Sequence, residues 1–176
     1  MKDNVRVKDL TKMALCVAIL CITSYMIIPL PFTPIVIGLQ TIMINLIALL
    51  FQPKEAGMTV LMYLLMGLIG LPVFSGGTSG PGKLFGPTGG FYFGFLLSVI
   101  LISWLKGNKN SFRRYCAVTI LVGVPVQHIL AVIWMSVQCN ISLSTAFLSV
   151  SLPFIVGDIL KCVISSSLGV ALKQRL

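Results

Sequence analysis

Long apolar runs, broken by short polar or proline- and glycine-rich segments, make up most of this 176-residue chain. A helix that crosses a bilayer needs about 20 mainly apolar residues. Residues 13–51 contain no charged side chain and are long enough for two such helices, divided by Pro29, Pro31 and Pro34. A weakly polar link, residues 138–145, leads through residues 146–152 into the last apolar run. The pattern predicts six helices, over residues 10–28, 35–51, 56–69, 88–105, 115–137 and 153–172.

Composition indicates that these helices lie in a membrane. The chain is 57% hydrophobic and only 10% charged, with a mean hydropathy of +1.02, whereas charged residues make up about 25% of a soluble domain. We therefore expect an all-α integral membrane protein. Residues 1–176 would form a single membrane-embedded domain, a bundle of about six transmembrane helices.

The distribution of charge predicts an orientation. The net charge is +9, from 13 Lys and Arg against 4 Asp and Glu, and cytoplasmic loops of membrane proteins are enriched in Lys and Arg. If both termini are cytoplasmic, eleven of the 13 basic residues fall in cytoplasmic segments; Lys83 lies in an outer loop and Lys161 within a helix. We expect a multi-pass protein of a bacterial-type cytoplasmic membrane. No basic patch interleaved with aromatic residues indicates a nucleic-acid partner.

Residues 71–95 form a glycine-rich stretch that falls on the outer face in this orientation. Glycine permits positive φ angles and close backbone contact, while Pro81 and Pro87 should stop the segment from continuing as helix. Two interpretations fit: a lid over a ligand, or a simple joint between two helices. Gly89 and Gly90 should resist β-branched residues, because of positive φ or close packing. The residues expected to shape the stretch are Gly76, Gly77, Gly86, Pro87, Gly89 and Gly90.

Nucleotide binding and enzymatic activity are not expected. Residues 77–83 match the start of a phosphate-binding loop, but Leu84 replaces the metal-binding hydroxyl and Pro81 lacks a backbone N–H donor. No nucleophile has a plausible base and orienting acid. His128 has no second histidine or carboxylate nearby in sequence, which favours a hydrogen-bonded bundle residue over a metal ligand. We expect no metal and no cofactor.

Asp158 and Lys161 are the ionisable pair within a predicted spanning helix, and at a spacing of three they share one face. Charges inside a membrane are costly and by default indicate a functional site, which favours ligand binding. The alternative is a self-neutralising pair that only holds the helix in place. Other residues at this level could complete a pocket, although each alone is more typical of packing: Gln40, Ser79, Phe91 and Tyr92.

Ala14 and Ala18 place small side chains one turn apart on the first helix. Such spacing lets a second helix approach closely in lipid. The second helix could belong to this bundle or to another subunit.

Three separated segments resemble the biotin-specific substrate-binding (S) components of energy-coupling factor (ECF) transporters, the BioY family. They are IPLPFTPIVIGLQT at 28–41, GGTSGPGKLFGPTGGFYFGF at 76–95 and LPFIVGDILK at 152–161, in the same order as in the family. The resemblance implies high-affinity capture of biotin, as a transported ligand, at the outer face of the membrane. It also implies a transmembrane coupling subunit and two cytoplasmic ATPase subunits as partners.

The resemblance assigns roles to individual residues. It implies that Asp158 accepts the ureido N–H groups of biotin and that Lys161 suits the valerate carboxylate, through charge-assisted bonds. It places a polar contact near Ser79 and makes Ala14 and Ala18 the docking surface for the coupling subunit. The alternative function is a stand-alone secondary transporter or channel for a small anionic solute, which the short chain and missing internal repeat disfavour.

Overall fold

Helices make up nearly all of the chain that the structure, a computed structural model, describes, which is residues 7–28 and 37–174. The helices are α1 (Val7–Tyr25), α2 (Gln40–Leu50), α3 (Pro53–Leu68), α4 (Pro81–Leu84), α5 (Gly89–Leu105), α6 (Phe112–Val118), α7 (Val124–Cys139), α8 (Leu143–Val150) and α9 (Ile155–Lys173). A π-helical turn, Thr119–Gly123, joins α6 and α7 into one continuous helix. Two short strands, β1 (Ile27–Ile28) and β2 (Ile37–Gly38), pair antiparallel. The predicted break at Pro29, Pro31 and Pro34 lies outside the described residues.

The all-helical prediction is confirmed, with two additions. The six predicted helices correspond to α1, α2, α3, α5, the α6–α7 helix and α9, whereas α4 and α8 were not predicted. Pro81 begins α4, so the expectation that it excludes helix is wrong for this one turn: a proline at the first helical position loses no intrahelical bond. Helix α8 replaces part of the predicted link, and the Ser142 hydroxyl caps it by accepting from Thr145 N at 3.2 Å.

The number of transmembrane helices stays a prediction. Within residues 7–28 and 37–174, two helices are long and apolar enough to cross a membrane: Phe112–Cys139 and Ile155–Lys173. Helices α2 and α5 are apolar but shorter. At about 1.5 Å per residue, the 11 residues of α2 extend only ~17 Å, about half of a ~30 Å hydrocarbon core.

Helix α2 lies at the centre of the bundle, against α1, α5 and α9. Eight of its 11 residues are buried, which explains its almost unbroken apolar sequence. Lys106, just past the end of α5, donates from Nζ to the carbonyls of Ala48 (2.8 Å) and Phe51 at the C-terminal end of α2. Burial lowers the pKa of Lys106 to about 8, so the ammonium form still predominates at pH 7 and satisfies these carbonyls.

Helices α5 and α7 meet backbone to backbone through two glycines of the glycine-rich stretch. A Cβ at Gly90 would lie 2.5 Å from Leu130 O, and one at Gly94 would lie 2.9 Å from Gln127 Cα. Both distances are far below a normal contact, so only glycine fits. In lipid, small residues of this kind are what let two helices pack closely.

The expectation of positive φ at Gly89 and Gly90 is wrong, because both residues lie in the first turn of α5 and neither has a positive φ. Their constraint is steric: a Cβ at Gly89 would lie 2.1 Å from Leu84 O. Positive φ occurs earlier in the stretch, at Gly76, Gly77 and Gly80, where the chain turns between α3 and α4.

Candidate functional site

A cavity of about 280 Å³ lies between the glycine-rich stretch and helices α2, α5 and α9. This volume is near the lower end of the ~300–1,000 Å³ typical of small-molecule sites. Its polar and charged lining residues are Gln40, Thr41, Ser75, Thr78, Lys83, Thr88, Asp158 and Lys161. Its aromatic lining residues are Phe91, Tyr92, Phe95 and Phe154. An apolar, aromatic wall with a few polar groups suits a small amphipathic molecule.

The carboxylate of Asp158 is held at both oxygens. Lys161 Nζ lies 2.7 Å from Oδ1, and His128 Nε2 lies 3.0 Å from Oδ2. All three residues are almost fully buried: Asp158 is 8% exposed, Lys161 is 7% exposed and His128 is 6% exposed. A buried charge needs such partners, since an unpaired one costs several kcal/mol. Asp158 and Lys161 come from one face of α9, and His128 comes from α7.

The contact between His128 and Asp158 was missed by the sequence analysis. No carboxylate lies near His128 in sequence, because Asp158 lies 30 positions later and meets it only through packing of α7 against α9. One signal was present: His128 is the single histidine of the chain, and Asp158 is the single acidic residue within the predicted helices. Two isolated polar groups inside a membrane bundle each need a partner.

The second ring nitrogen of His128 is also occupied, with Nδ1 lying 3.0 Å from the hydroxyl of Ser151. Ser151 follows α8 and is fully buried. A chain of side-chain hydrogen bonds therefore runs from Ser151, just after α8, through His128 on α7 to Asp158 and Lys161 on α9. Among the described residues, no group of three or more His, Cys, Asp or Glu side chains is placed to hold a metal ion.

The aromatic wall of the cavity is locked in place by its neighbours. The Tyr92 ring lies 4.6 Å from the ring of Phe74, centroid to centroid, and its hydroxyl accepts from Ser75 N at 3.3 Å. Phe91 packs edge-on against the His128 ring, with centroids 5.8 Å apart. The two aromatic residues proposed from sequence thus connect the glycine-rich stretch with the charged cluster.

Gln40, the first residue of α2, lines the cavity and is 5% exposed. Its side-chain oxygen Oε1 is buried without a hydrogen-bond partner in the part of the chain that the structure describes. A buried acceptor left unpaired costs about 1–3 kcal/mol. A ligand that donates an N–H or O–H here would remove that cost.

Ser79 is not among the residues that line the cavity. Two other hydroxyls of the same stretch are, Ser75 and Thr78, and Thr78 Oγ1 donates to Ser75 O at 3.0 Å. Lys83, from α4, also lines the cavity and is partly exposed. The structure therefore brings Gln40 and Lys83 to the same cavity as the charged cluster, although they come from distant segments.

The glycine-rich stretch is tied to the ends of α1 and α3. Gly76 N donates to Ser24 O at 3.0 Å, and Gly80 N donates to Gly67 O at 2.7 Å. Gly77 lies against the ring of Tyr25, which a Cβ would approach to 2.8 Å.

The remaining residues expected to shape the stretch lie apart from these anchors. Gly86 O accepts from Trp134 Nε1 at 2.9 Å, whereas Pro87 is exposed. Gly76 is the only one of the six predicted residues of this stretch that lines the cavity as described.

A second cavity, of about 440 Å³, lies between α7, α8 and α9. Its lining is apolar except for His128 and Ser151, and no acidic or basic side chain other than His128 reaches it within the described residues. A polar or charged ligand therefore fits the first cavity better.

Ala14 and Ala18 lie on the outside of the bundle. The buried side of α1 carries Cys16, Val17 and Leu20, among others, whereas Ala14 and Ala18 are exposed. Their exposure leaves this face of α1 accessible to another helix.

An apolar helical bundle with a buried charged cluster beside a small cavity fits one class of protein, a membrane protein that binds a small molecule. Comparison with known proteins gives the particular family. The model of the BioY family matches residues 1–176, and the chain belongs to this family.

Individual relatives agree with the family assignment. The chain is 35% identical over 175 residues to biotin transporter BioY2 of Lactococcus lactis subsp. cremoris (strain MG1363), covering 99% of this chain and 94% of the relative. It is 30% identical over 167 residues to biotin transporter BioY of Thermotoga maritima, covering 95% and 96%. The crystal structure of the S-component for biotin from an ECF-type ABC transporter matches with a TM-score of 0.89 and 32% identity, over 99% of this chain and 95% of that one.

A more distant structure shares the fold alone. The crystal structure of FolT bound with folic acid matches with a TM-score of 0.67 at 18% identity, over 97% of this chain and 95% of that one. The same fold is therefore built from largely different residues.

Proposed function

We propose that the protein captures biotin at the outer face of the cytoplasmic membrane and acts as the substrate-binding component of an ECF-type transporter. The observation that carries the proposal is the buried cluster of Asp158, Lys161 and His128 beside the cavity. Membership of the BioY family and the match to an S-component for biotin support the same ligand. Biotin is the transported ligand, and the protein is a carrier component and not an enzyme.

The ureido group of biotin fits the polar groups of the cluster. It offers two N–H donors and one carbonyl acceptor. Each carboxylate oxygen of Asp158 already accepts one hydrogen bond and has a further lone pair that can accept an N–H of the ligand. The unpaired Gln40 Oε1 can accept the second N–H. Lys161 uses one of its three donors on Asp158 and can give another to the ureido carbonyl.

The apolar parts of biotin fit the aromatic wall. The fused rings and the aliphatic chain would pack on Phe91, Tyr92 and Phe95. Burial of apolar surface contributes about 25 cal/mol per Å², which makes this contact a large part of the binding energy. Ser75 and Thr78 supply hydroxyls at the glycine-rich stretch, which we propose acts as a lid.

His128 acts as a positioning residue for Asp158. A carboxylate oxygen can only accept, so Nε2 must carry a proton to donate to Asp158, and a neutral ring then accepts from the Ser151 hydroxyl at Nδ1. This hydrogen bond holds one carboxylate oxygen of Asp158 in place. The lone pairs that remain free to accept from the ligand therefore point in a defined direction. The edge-on contact with Phe91 holds the imidazole ring in that orientation.

Transport would require other subunits. We propose that Ala14 and Ala18, which are exposed on α1, dock a transmembrane coupling subunit that two cytoplasmic ATPases drive. The membrane topology that accompanies this assembly has six spanning helices in a single domain, with both termini in the cytoplasm.

The proposal is tested by equilibrium binding of radiolabelled biotin to the purified protein in detergent without ATP. We expect saturable binding at one site per chain, with unlabelled biotin competing. Absence of saturable binding by a folded, monodisperse sample would refute biotin capture. Binding that requires an ion gradient in liposomes would instead favour a stand-alone secondary transporter.

A further inference from the structure

Lys83 lines the cavity, and no acidic side chain in residues 7–28 or 37–174 forms an ion pair with it. Three of its lining residues carry full charges: Lys83, Asp158 and Lys161. Asp158 and Lys161 form an ion pair with an N–O distance of 2.7 Å, so their charges cancel. The ammonium of Lys83 makes no hydrogen bond or ion pair with a described residue. The sequence of residues 29–36 also contains no acidic residue.

Burial separates the two charged regions of the cavity. Asp158 and Lys161 are almost fully buried, whereas Lys83 is partly exposed. Helix α4 holds Lys83 at this place: Pro81 begins the helix, and the side chain of Leu84 is buried beside it. The cavity therefore has a deep part that is electrically neutral and a part near solvent that carries one positive charge.

We propose that Lys83 binds the carboxylate of the captured ligand and makes the site selective for the free acid over its neutral derivatives. This inference rests on the proposed function, since it concerns the same cavity. A monoanionic ligand neutralises the single uncompensated charge of the lining. A charge-assisted bond between an ammonium and a carboxylate is among the stronger polar contacts in proteins.

The sequence analysis gave this role to Lys161, and the geometry argues against that assignment. Lys161 already donates to Asp158 at 2.7 Å. A ligand carboxylate at Lys161 would stand within a few ångströms of the Asp158 carboxylate, and like charges so close in a buried site repel strongly. The same carboxylate at Lys83 meets a cation with no anion beside it in the described lining. Phe91 and Tyr92 supply apolar surface for an aliphatic chain that joins the two regions.

The test compares biotin with biotinamide, in which a neutral carboxamide replaces the carboxylate at nearly constant shape. Dissociation constants for both ligands would be measured by isothermal titration calorimetry on the wild type, Lys83→Met and Lys83→Arg. Lys109→Met is the matched control, because it removes the same charge from an exposed loop residue that does not line the cavity. All four proteins should keep the same melting temperature without ligand, since Lys83 makes no hydrogen bond or ion pair with residues 7–28 or 37–174.

We expect the wild type to bind biotin about tenfold more tightly than biotinamide, which is about 1.4 kcal/mol. Lys83→Met should abolish this preference by weakening biotin alone, whereas Lys83→Arg and Lys109→Met should keep it. The preference in wild type should shrink in high salt, as expected for a partly exposed charge pair.

Two results would overturn the inference while leaving biotin capture intact: a wild type that binds both ligands equally, or a Lys83→Met variant that keeps the wild-type preference. A wild type that binds neither ligand would instead reject the proposed function and this inference with it.

Discussion

Replacing Asp158 by asparagine should affect two quantities separately, the stability of the protein and its affinity for biotin. The substitution keeps the shape of the side chain and removes its charge, which leaves Lys161 buried without its partner. Breaking a buried ion pair in this way costs about 3–5 kcal/mol. Most of that cost applies equally to the free protein and to the biotin complex, so it should lower the melting temperature and not the affinity.

The affinity reports a different quantity, the contact between Asp158 and the ligand. A hydrogen bond to a charged group contributes about 1.5–3 kcal/mol. At 1.4 kcal/mol per tenfold change, Asp158→Asn should weaken biotin binding about 10- to 140-fold. Ser79→Ala should change it far less, because Ser79 does not line the cavity.

The assay measures the dissociation constant of biotin and the melting temperature on the same preparations. A double variant, Asp158→Leu with Lys161→Met, provides the control: replacing both members of a buried pair by apolar residues is often neutral for stability. It should recover the melting temperature without recovering binding. Wild-type affinity in a folded Asp158→Asn protein would refute the assignment of this cluster to the ligand.

Three further sets of variants test other parts of the proposal. Gly90→Val should cost about 1–3 kcal/mol or more of stability through overpacking against α7, whereas Gly82→Val, with nothing within 4 Å of its Cβ, should melt like wild type; equal melting of both would contradict the packing argument. His128→Phe should weaken biotin binding about tenfold through loss of one hydrogen bond to Asp158, and unchanged affinity would exclude a positioning role. Ala14→Trp and Ala18→Trp should keep biotin binding and lose ATP-dependent uptake and co-purification of the coupling subunit. Loss of binding and stability together, or uptake at the wild-type rate, would argue against docking at this face.

The helices were predictable because their signal is local. Apolar runs of sufficient length predicted α1, α2, α3, α5, the continuous α6–α7 helix and α9, with boundaries that differ from the structure by a few residues at most places. The start of α2 differs by more, since it was predicted at residue 35 and begins at Gln40. Helix α8 was missed because its eight residues are too few for a spanning helix and carry serine and threonine, which are also typical of loops.

The residues that line the cavity were partly predictable from the sequence. Asp158 and Lys161 stood out because charge in an apolar helix is rare, and Phe91, Tyr92 and Gln40 line the same cavity. His128 was set aside because its partner is not a sequence neighbour, and only the packing of α7 against α9 brings the two together. Gly89 and Gly90 were expected to be constrained, but the backbone contacts that constrain them cannot be seen from the identity of a glycine.

The proposed roles of the charged residues also imply one orientation of the bound ligand. Under this proposal, a molecule with a neutral, hydrogen-bonding head and an acidic tail would place its head against Asp158, Gln40 and Lys161 and its tail near Lys83, all of which line the cavity. The reverse orientation would bring the ligand carboxylate next to the Asp158 carboxylate. The cation beside Asp158, Lys161, is already paired with it. It would also leave Gln40 Oε1 unpaired, at a cost of about 1–3 kcal/mol. In this proposal, selectivity for the free acid and orientation of the bound ligand depend on the same two features: a neutralised pair in the buried part of the cavity, and a single cation in the partly exposed part of its described lining.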